Sequence, residues 1–242
     1  MTIISSASRQ IILDTETTGM NQAGGAIYIG HRIIEIGCVE VVNRRLTGRT
    51  YHQYINPGQL IDPEAIAVHG ITDERVANEP RFHQIAQEFI EFIQGAEIVA
   101  HNASFDVSFM DHEFSMLQPR GPKTHDIVDI LDSLSIAKRL HPGQKNNLDA
   151  LCKRYGIDNS RRTYHGALLD AEILADVYLL MTGGQIKFNL SSEQAGQEAG
   201  GIQRLDPSGF NLKVIAASAD ELVLHESRLD LVQKSGKCLW RG

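Results

Sequence analysis

Apolar side chains change their spacing several times along the first 180 residues, and each change marks an element. Residues 9–13 form a short apolar run that ends in acid, the pattern of a buried strand, whereas residues 32–42 and 50–55 alternate as antiparallel strands do. Asp62-Pro63-Glu64 sets a capping residue ahead of a proline at the first helical position, and His69-Gly70 closes that short helix. Phe82, Ile85, Ala86, Phe89, Ile90 and Ile93 recur at helical spacing until Gly95 stops the run. Further on, the pattern predicts strands over 98–100 and 126–130 and helices over 104–117, 147–155 and 168–181. Hairpin-type strands followed by strands alternating with helices predict an α/β domain, a mixed sheet covered by helices.

After Met181 the pattern fades. Residues 183–209 are rich in Gly, Gln, Glu and Ser and read as a flexible linker. Residues 210–216 then look like a strand, and Ser218-Ala219-Asp220-Glu221 is a capping box opening a helix that ends near Gly236. So short a segment cannot build its own core, since below about 40 residues a domain needs staples or a partner. The expected organisation is a domain over 1–182, a linker over 183–209 and a partner-binding tail over 210–242. The tail's helix carries Leu222, Leu229 and Val232, and Trp240 near its end is the chain's single tryptophan, a residue type enriched at binding hot spots.

Composition narrows the setting. Cys38, Cys152 and Cys238 are odd in number and lie outside any C-x-x-C pattern, so neither a disulfide framework nor a zinc site is expected. The N-terminus lacks a basic region with an apolar run behind it, and no stretch approaches the roughly 18 apolar residues of a membrane span. A soluble cytoplasmic protein without membrane contact follows as the expectation. A net charge of −7 argues against a duplex-gripping surface. Residues 181–242 hold seven Lys/Arg and seven Asp/Glu, so the acidic excess lies in residues 1–180, where bound divalent ions would reverse the local sign.

The chemistry concentrates in three segments: Asp14 and Glu16 in I-I-L-D-T-E-T-T-G, Asp106 in H-N-A-S-F-D, and His165 with Asp170 in H-G-A-L-L-D-A. Two acids spaced by two on a strand share a face, and burying them is expensive without a cation or hydrogen bonds. Each segment alone has an ordinary explanation: a strand end meeting water, a first-turn aspartate favouring a helix dipole, a surface histidine. Phe105 fits equally a core position and a platform for a terminal base. Assembled, four carboxylates cannot all stay ionised without hard cations, and a histidine titrating near neutrality can take a proton from a water held there. That is the apparatus of two-metal phosphodiester hydrolysis.

D-x-E, H-N-x-x-F-D and H-x-x-x-x-D in this order resemble the three motifs of the DEDD exonuclease family. Position 166, where the tyrosine branch carries its tyrosine, is Gly166, so the histidine branch is indicated. The resemblance implies a ribonuclease H-like fold with a mixed five-stranded sheet, metal-dependent 3′–5′ exonuclease activity, and two divalent ions, magnesium or manganese. It makes Asp14, Glu16, Asp106 and Asp170 metal ligands and His165 the general base, with Asp14, Glu16, Phe105 and Asp170 also near the substrate. The segment around Asp62-Pro63-Glu64 and His69-Gly70 is similar to a family element beside the terminal nucleotide, so Glu64 and His69 become substrate contacts, although a capped surface helix explains the same pattern. L-M-T-G-G-Q and the closing E-S-R-L-D-L-V-Q-K-S-G-K-C-L-W resemble the proofreading epsilon subunits of bacterial DNA polymerase III. That likeness implies editing of a DNA primer 3′ end, a polymerase alpha subunit held through the tail, and a small theta-like subunit as a candidate partner of the catalytic domain. Gln185, Phe188 and Leu190 resemble a beta sliding-clamp peptide. A free-standing DNA or RNA exonuclease, or a non-catalytic scaffold joining polymerase and clamp, are the alternatives.

Overall fold

The first of the chain's two units, Met1–Lys187, is organised by a five-stranded sheet in the order β3-β2-β1-β4-β5. The strands are β1 (Arg9–Thr17), β2 (Ile33–Val42), β3 (Arg45–Tyr54), β4 (Glu97–Ala100) and β5 (Asp129–Asp132). β1 is central, antiparallel to β2 along its length and parallel to β4, which in turn is parallel to β5. The computed structural model describes residues 8–160, 164–183, 216–236 and 240. Around the sheet lie α1 (Pro63–His69), α2 (Asp73–Val76), α3 (Phe82–Ile93), α4 (Ala103–Ser115), α5 (Thr124–Ile127), α6 (Ser133–Leu140), α7 (Leu148–Tyr155) and α8 (Ala167–Thr182).

The run I-I-L in β1 is apolar throughout because both faces of the sheet are covered. Ile11 and Leu13 join Phe82 and Phe89 of α3 and Phe109 and Phe114 of α4 in one cluster. Ile12 joins Leu151 of α7 and Leu174 and Tyr178 of α8 in another. Cys38 is buried in the first cluster and Cys152 in the second. Strand alternation therefore decides where the acids go: Asp14 and Glu16 follow Ile12 onto the α8 side, and Thr15 follows Leu13 onto the α4 side.

Most predicted elements are present, with local differences. β3 begins at Arg45 rather than residue 50, because Asn43 and Arg44 both adopt positive φ (49° and 63°) and close a two-residue hairpin. Left-handed residues at both turn positions match the twist of the flanking strands. The strand expected over 126–130 is replaced in its first half by α5 and shifts to Asp129–Asp132. Local hydrogen bonds hold the α5 turn: Lys123 N–H donates to Asp126 Oδ2 at 3.0 Å, and the Thr124 N–H and hydroxyl donate to Asp111 Oδ1 at 2.7 and 2.6 Å. Two apolar pairs, Ile127-Val128 and Ile130-Leu131, have no period that could place the strand. α2 and α6 were not expected, although Thr72 and Asp132 cap them.

The second unit, Phe188–Gly242, contains α9 (Ala219–Ser235). Its capping box forms as predicted: Ser218 Oγ accepts from Glu221 N–H at 3.3 Å, and Glu221 Oε2 accepts from Ser218 N–H at 2.8 Å. Leu222 and Val232 are exposed, Leu229 is buried and Trp240 is 84% exposed. Residues 184–209 of the expected linker, with the clamp-like Gln185, Phe188 and Leu190, and residues 210–215 of the strand expected over 210–216 lie outside the described residues, and Ala216 is not in a strand. Among the described residues, no helix is long and apolar enough to cross a membrane.

Candidate active site

Three chain segments meet where β1 and β4 end, the edge at which sheets with parallel strands collect ligands. β1 delivers Asp14, Thr15 and Glu16. β4 ends at Ala100, Asn102 turns the chain with a left-handed φ of 73°, and α4 begins with Asp106 in its first turn. α8 brings Asp170 in its own first turn, with His165 just ahead of it. Asp14, Glu16, Asp106, His165 and Asp170 line one cleft of about 380 Å³. The structure thus brings together all five residues predicted from the three motifs.

The supports of this site are residues that sequence reading did not single out. Gly37 pairs with Asp14 across the β1–β2 ladder. A Cβ at Gly37 would lie 2.2 Å from the Ala167 carbonyl carbon and 2.2 Å from Leu168 N, so α8 starts directly on the sheet surface, above the pair. Gly166 offers α8 no side-chain cap, and the buried Glu35 of β2 replaces it: Ala167 N–H donates to Glu35 Oε2 at 3.0 Å. Glu35 Oε1 in turn lies 2.7 Å from His52 Nε2. At α4 the residue in the N-cap position, Asn102, makes no side-chain cap hydrogen bond. Asp132 at the end of β5 accepts from Asn102 N–H and Ala103 N–H at 3.0 and 3.4 Å.

Burial dominates the electrostatics. Asp106 and Asp170 are both buried. Desolvation pushes the Asp106 carboxyl up to about 7, against the opposing pull of the Thr15 hydroxyl, which donates to Asp106 Oδ1 at 2.8 Å. Burial, with Asp106 and Asp14 nearby, also raises the Cys38 thiol well above its usual range, which leaves it a packing residue. His165 Nδ1 lies 3.2 Å from Asp170 Oδ2. One ligand atom each from Glu16, His165 and Asp170 lies within 4.8 Å of the others. Hard carboxylate oxygens gathered around a carboxyl whose ionisation burial opposes are a donor set that fits divalent cations, which bind carboxylates in the deprotonated form.

A second cleft, of about 310 Å³, shares Glu16 and Phe105 with the first and is lined on its other side by Glu64, Ala65, Val68 and His69 of α1. Glu64, His69 and Phe105 are therefore brought together beside the acids. The buried His69 accepts the Ile71 N–H at Nδ1 (3.0 Å), and burial lowers its pKa, so its neutral form carries the proton on Nε2. That Nε2 is itself buried and has no hydrogen-bond partner of good geometry among the described residues, although the Thr17 backbone is close enough to oppose the effect of burial. The Phe105 ring packs 4.9 Å from that of Phe109, and the residue also lines both clefts. His101, also on the cleft wall, ties β4 to the loop before α7 through Ser133 Oγ at 3.0 Å and the Asn146 carbonyl at 2.8 Å.

A family model described as Exonuclease matches residues 11–178. The chain is 56% identical over 238 residues to the DNA polymerase III subunit epsilon of Escherichia coli, covering 97% of this chain and 98% of that relative. It is 57% identical over 238 residues to the subunit of the same name from Salmonella typhimurium, with coverage of 97% and 98%. Among solved structures, exonuclease X in complex with 5′ overhanging duplex DNA matches with a TM-score of 0.53 at 28% identity, over 72% of this chain and 91% of its own.

Proposed function

Since the chain belongs to the Exonuclease family and, within it, to the DNA polymerase III epsilon subunits, we propose a mechanism and a division of labour along it. It is a proofreading 3′–5′ exonuclease of the cytoplasmic replication machinery, dependent on divalent metal. The catalytic domain, residues 1–182, hydrolyses the 3′-terminal phosphodiester of a DNA primer and releases a nucleoside monophosphate. Asp14, Glu16, Asp106 and Asp170 would hold two ions, magnesium or manganese. When bound, such ions lower the pKa of an attacking water and neutralise charge on the phosphate and leaving oxygen.

The chain's own groups do the rest. Asp170 Oδ2, 3.2 Å from His165 Nδ1, orients the imidazole and leaves Nε2 as the atom that takes the water's proton. The second cleft receives the terminal nucleotide, its base against Phe105 and its sugar within reach of Glu64 and the His69 Nε2–H. Nothing in this arrangement needs to read a base sequence. A mispaired end frays at lower cost and supplies the single strand that the site accepts.

The tail, residues 210–242, docks on the polymerase alpha subunit through the exposed apolar residues of α9 and Trp240, and residues 183–209 tether the nuclease near the primer end. Gln185, Phe188 and Leu190 bind the beta sliding clamp, and a small theta-like subunit binds the catalytic domain. The observation that carries the catalytic reading is the convergence of five residues from three distant segments in one cleft. The test is magnesium-dependent release of nucleoside monophosphate from a primer with a 3′ mismatch, beside a matched primer and an RNA of the same sequence. Preference for the mismatched DNA supports the reading, and equal turnover of the RNA would favour a general exonuclease.

A further inference from the structure

We propose that Tyr164 is a positioning residue, which fixes His165 to the helix lining the terminal-nucleotide cleft by seating its ring on Gly70. The inference rests on the reading of His165 as the general base. The need for an anchor is visible in the chain itself. The His165 side chain is 46% exposed, so packing does little to hold it. On its C-terminal side it is joined to α8 by Gly166, where nothing lies within 4 Å of an added Cβ. Gly166 has no side chain that could pack, and its carbonyl accepts from Asp170 N–H at 2.8 Å. Asp170 Oδ2 of α8 holds the imidazole at 3.2 Å, and the backbone of His165 needs a second hold on its other side.

The constraint comes from the N-terminal side. His165 N–H donates to Val68 O at 3.2 Å, satisfying one of the carbonyls left over at the end of α1. Beside that bond the Tyr164 ring covers Gly70, whose φ is 72°: Cγ, Cδ2 and Cδ1 lie 3.1, 3.2 and 3.3 Å from the place a Cβ would occupy. Gly70 is needed for the left-handed turn that ends α1, and a side chain there would also press the ring outward by a few tenths of an ångström. α1 carries Glu64 and His69, so the helix that meets the terminal nucleotide and the base that takes the attacking water's proton are held as one unit. Nucleotide seated against α1 then finds the base already aligned.

Single-turnover hydrolysis of single-stranded DNA by the full chain at saturating magnesium tests this. Tyr164 is 58% exposed, so Tyr164→Ala should leave the melting midpoint within about 2 °C of the parent. It should lower kcat about tenfold or more, as small misplacements of reacting groups do, with KM within about twofold. Tyr164→Phe should retain the parent rate, because the contact uses ring carbons and not the hydroxyl. In a His165→Ala background, Tyr164→Ala should cost nothing further. Losses that multiply in that background, or a raised KM with unchanged kcat, would show that the ring acts directly on nucleic acid and overturn the proposal. A full-speed His165→Ala enzyme would instead remove the base assignment on which it rests, so the two failures are told apart.

Discussion

Replacing Gly37 by alanine should displace the start of α8 and separate the acids it brings together. The new methyl would meet the Ala167 carbonyl carbon at 2.2 Å and its oxygen at 2.4 Å, where ordinary contact begins at 3.4 Å. Backbone must therefore retreat by about 1.2 Å (3.4 − 2.2), and neither partner is a flexible side chain that can swing away. Gly37 is not among the glycines of positive φ, so the penalty is one of space and not of backbone conformation. Overpacking of this kind costs about 1–3 kcal/mol, or a fall in melting midpoint of about 2–12 °C for a domain of this size. The effect on chemistry should be larger than on folding. A shift near 1 Å at a catalytic constellation costs on the order of a hundredfold in rate, and the shift here falls on the turn that carries Asp170 and accepts the Glu35 cap. Calorimetry with and without magnesium, together with single-turnover hydrolysis of a single strand, measures both. If Gly37→Ala melted within about a degree of the parent and kept its rate within about threefold, the close approach of helix to strand would not be what sets the site.

Asp14→Ala should abolish hydrolysis while the metal-free protein melts at the parent temperature or slightly above, because one of the mutually repelling carboxylates is gone; near-normal nuclease activity would dismiss the carboxylate assignment. Asp106, raised by burial to about 7 in the fold from about 3.9 when unfolded, keeps a proton that the unfolded chain has lost. The folded state then binds more protons between those values, so metal-free stability contributed by this group falls as pH rises from about 4 to about 7. Asp106→Asn should flatten that part of the profile in chelator, and identical profiles for the two proteins would contradict the burial argument. Truncation should be made after Gly183, because the buried Thr182 accepts from Arg44 Nη1 at 2.9 Å and Leu179 O accepts from Arg44 Nη2 at 2.8 Å. The shortened chain should hydrolyse single-stranded DNA at the parent rate and no longer co-purify with the polymerase subunit, which Trp240→Ala should also weaken; full retention of polymerase by the truncated chain would refute the role given to the tail.

What the sequence determined alone was whatever depends on neighbours in the chain. The apolar run into Asp14-Thr15-Glu16, the bounds of α1 at Pro63 and Gly70, the helical period from Phe82 to Ile93 and the Ser218 capping box rest on interactions spanning a few residues, and each is found where the pattern places it, although Asp62 makes no side-chain cap hydrogen bond. The five chemical residues were legible for the same reason, since each sits in a local frame of strand end or helix start. Short runs without a full period were not: α5 and β5 divide a stretch that reads as one strand, because the side chains of Asp111 and Asp126 decide the turn. Only the tertiary structure showed what holds the site. Glu35 caps a helix 132 residues away and Gly37 gives that helix room; Asp132 caps α4 from 30 residues on, and the Tyr164 ring lies against Gly70. These contacts join residues whose types are unremarkable in their own segments, and their meaning comes from the sheet order that places β2 and α8, or β5 and α4, side by side.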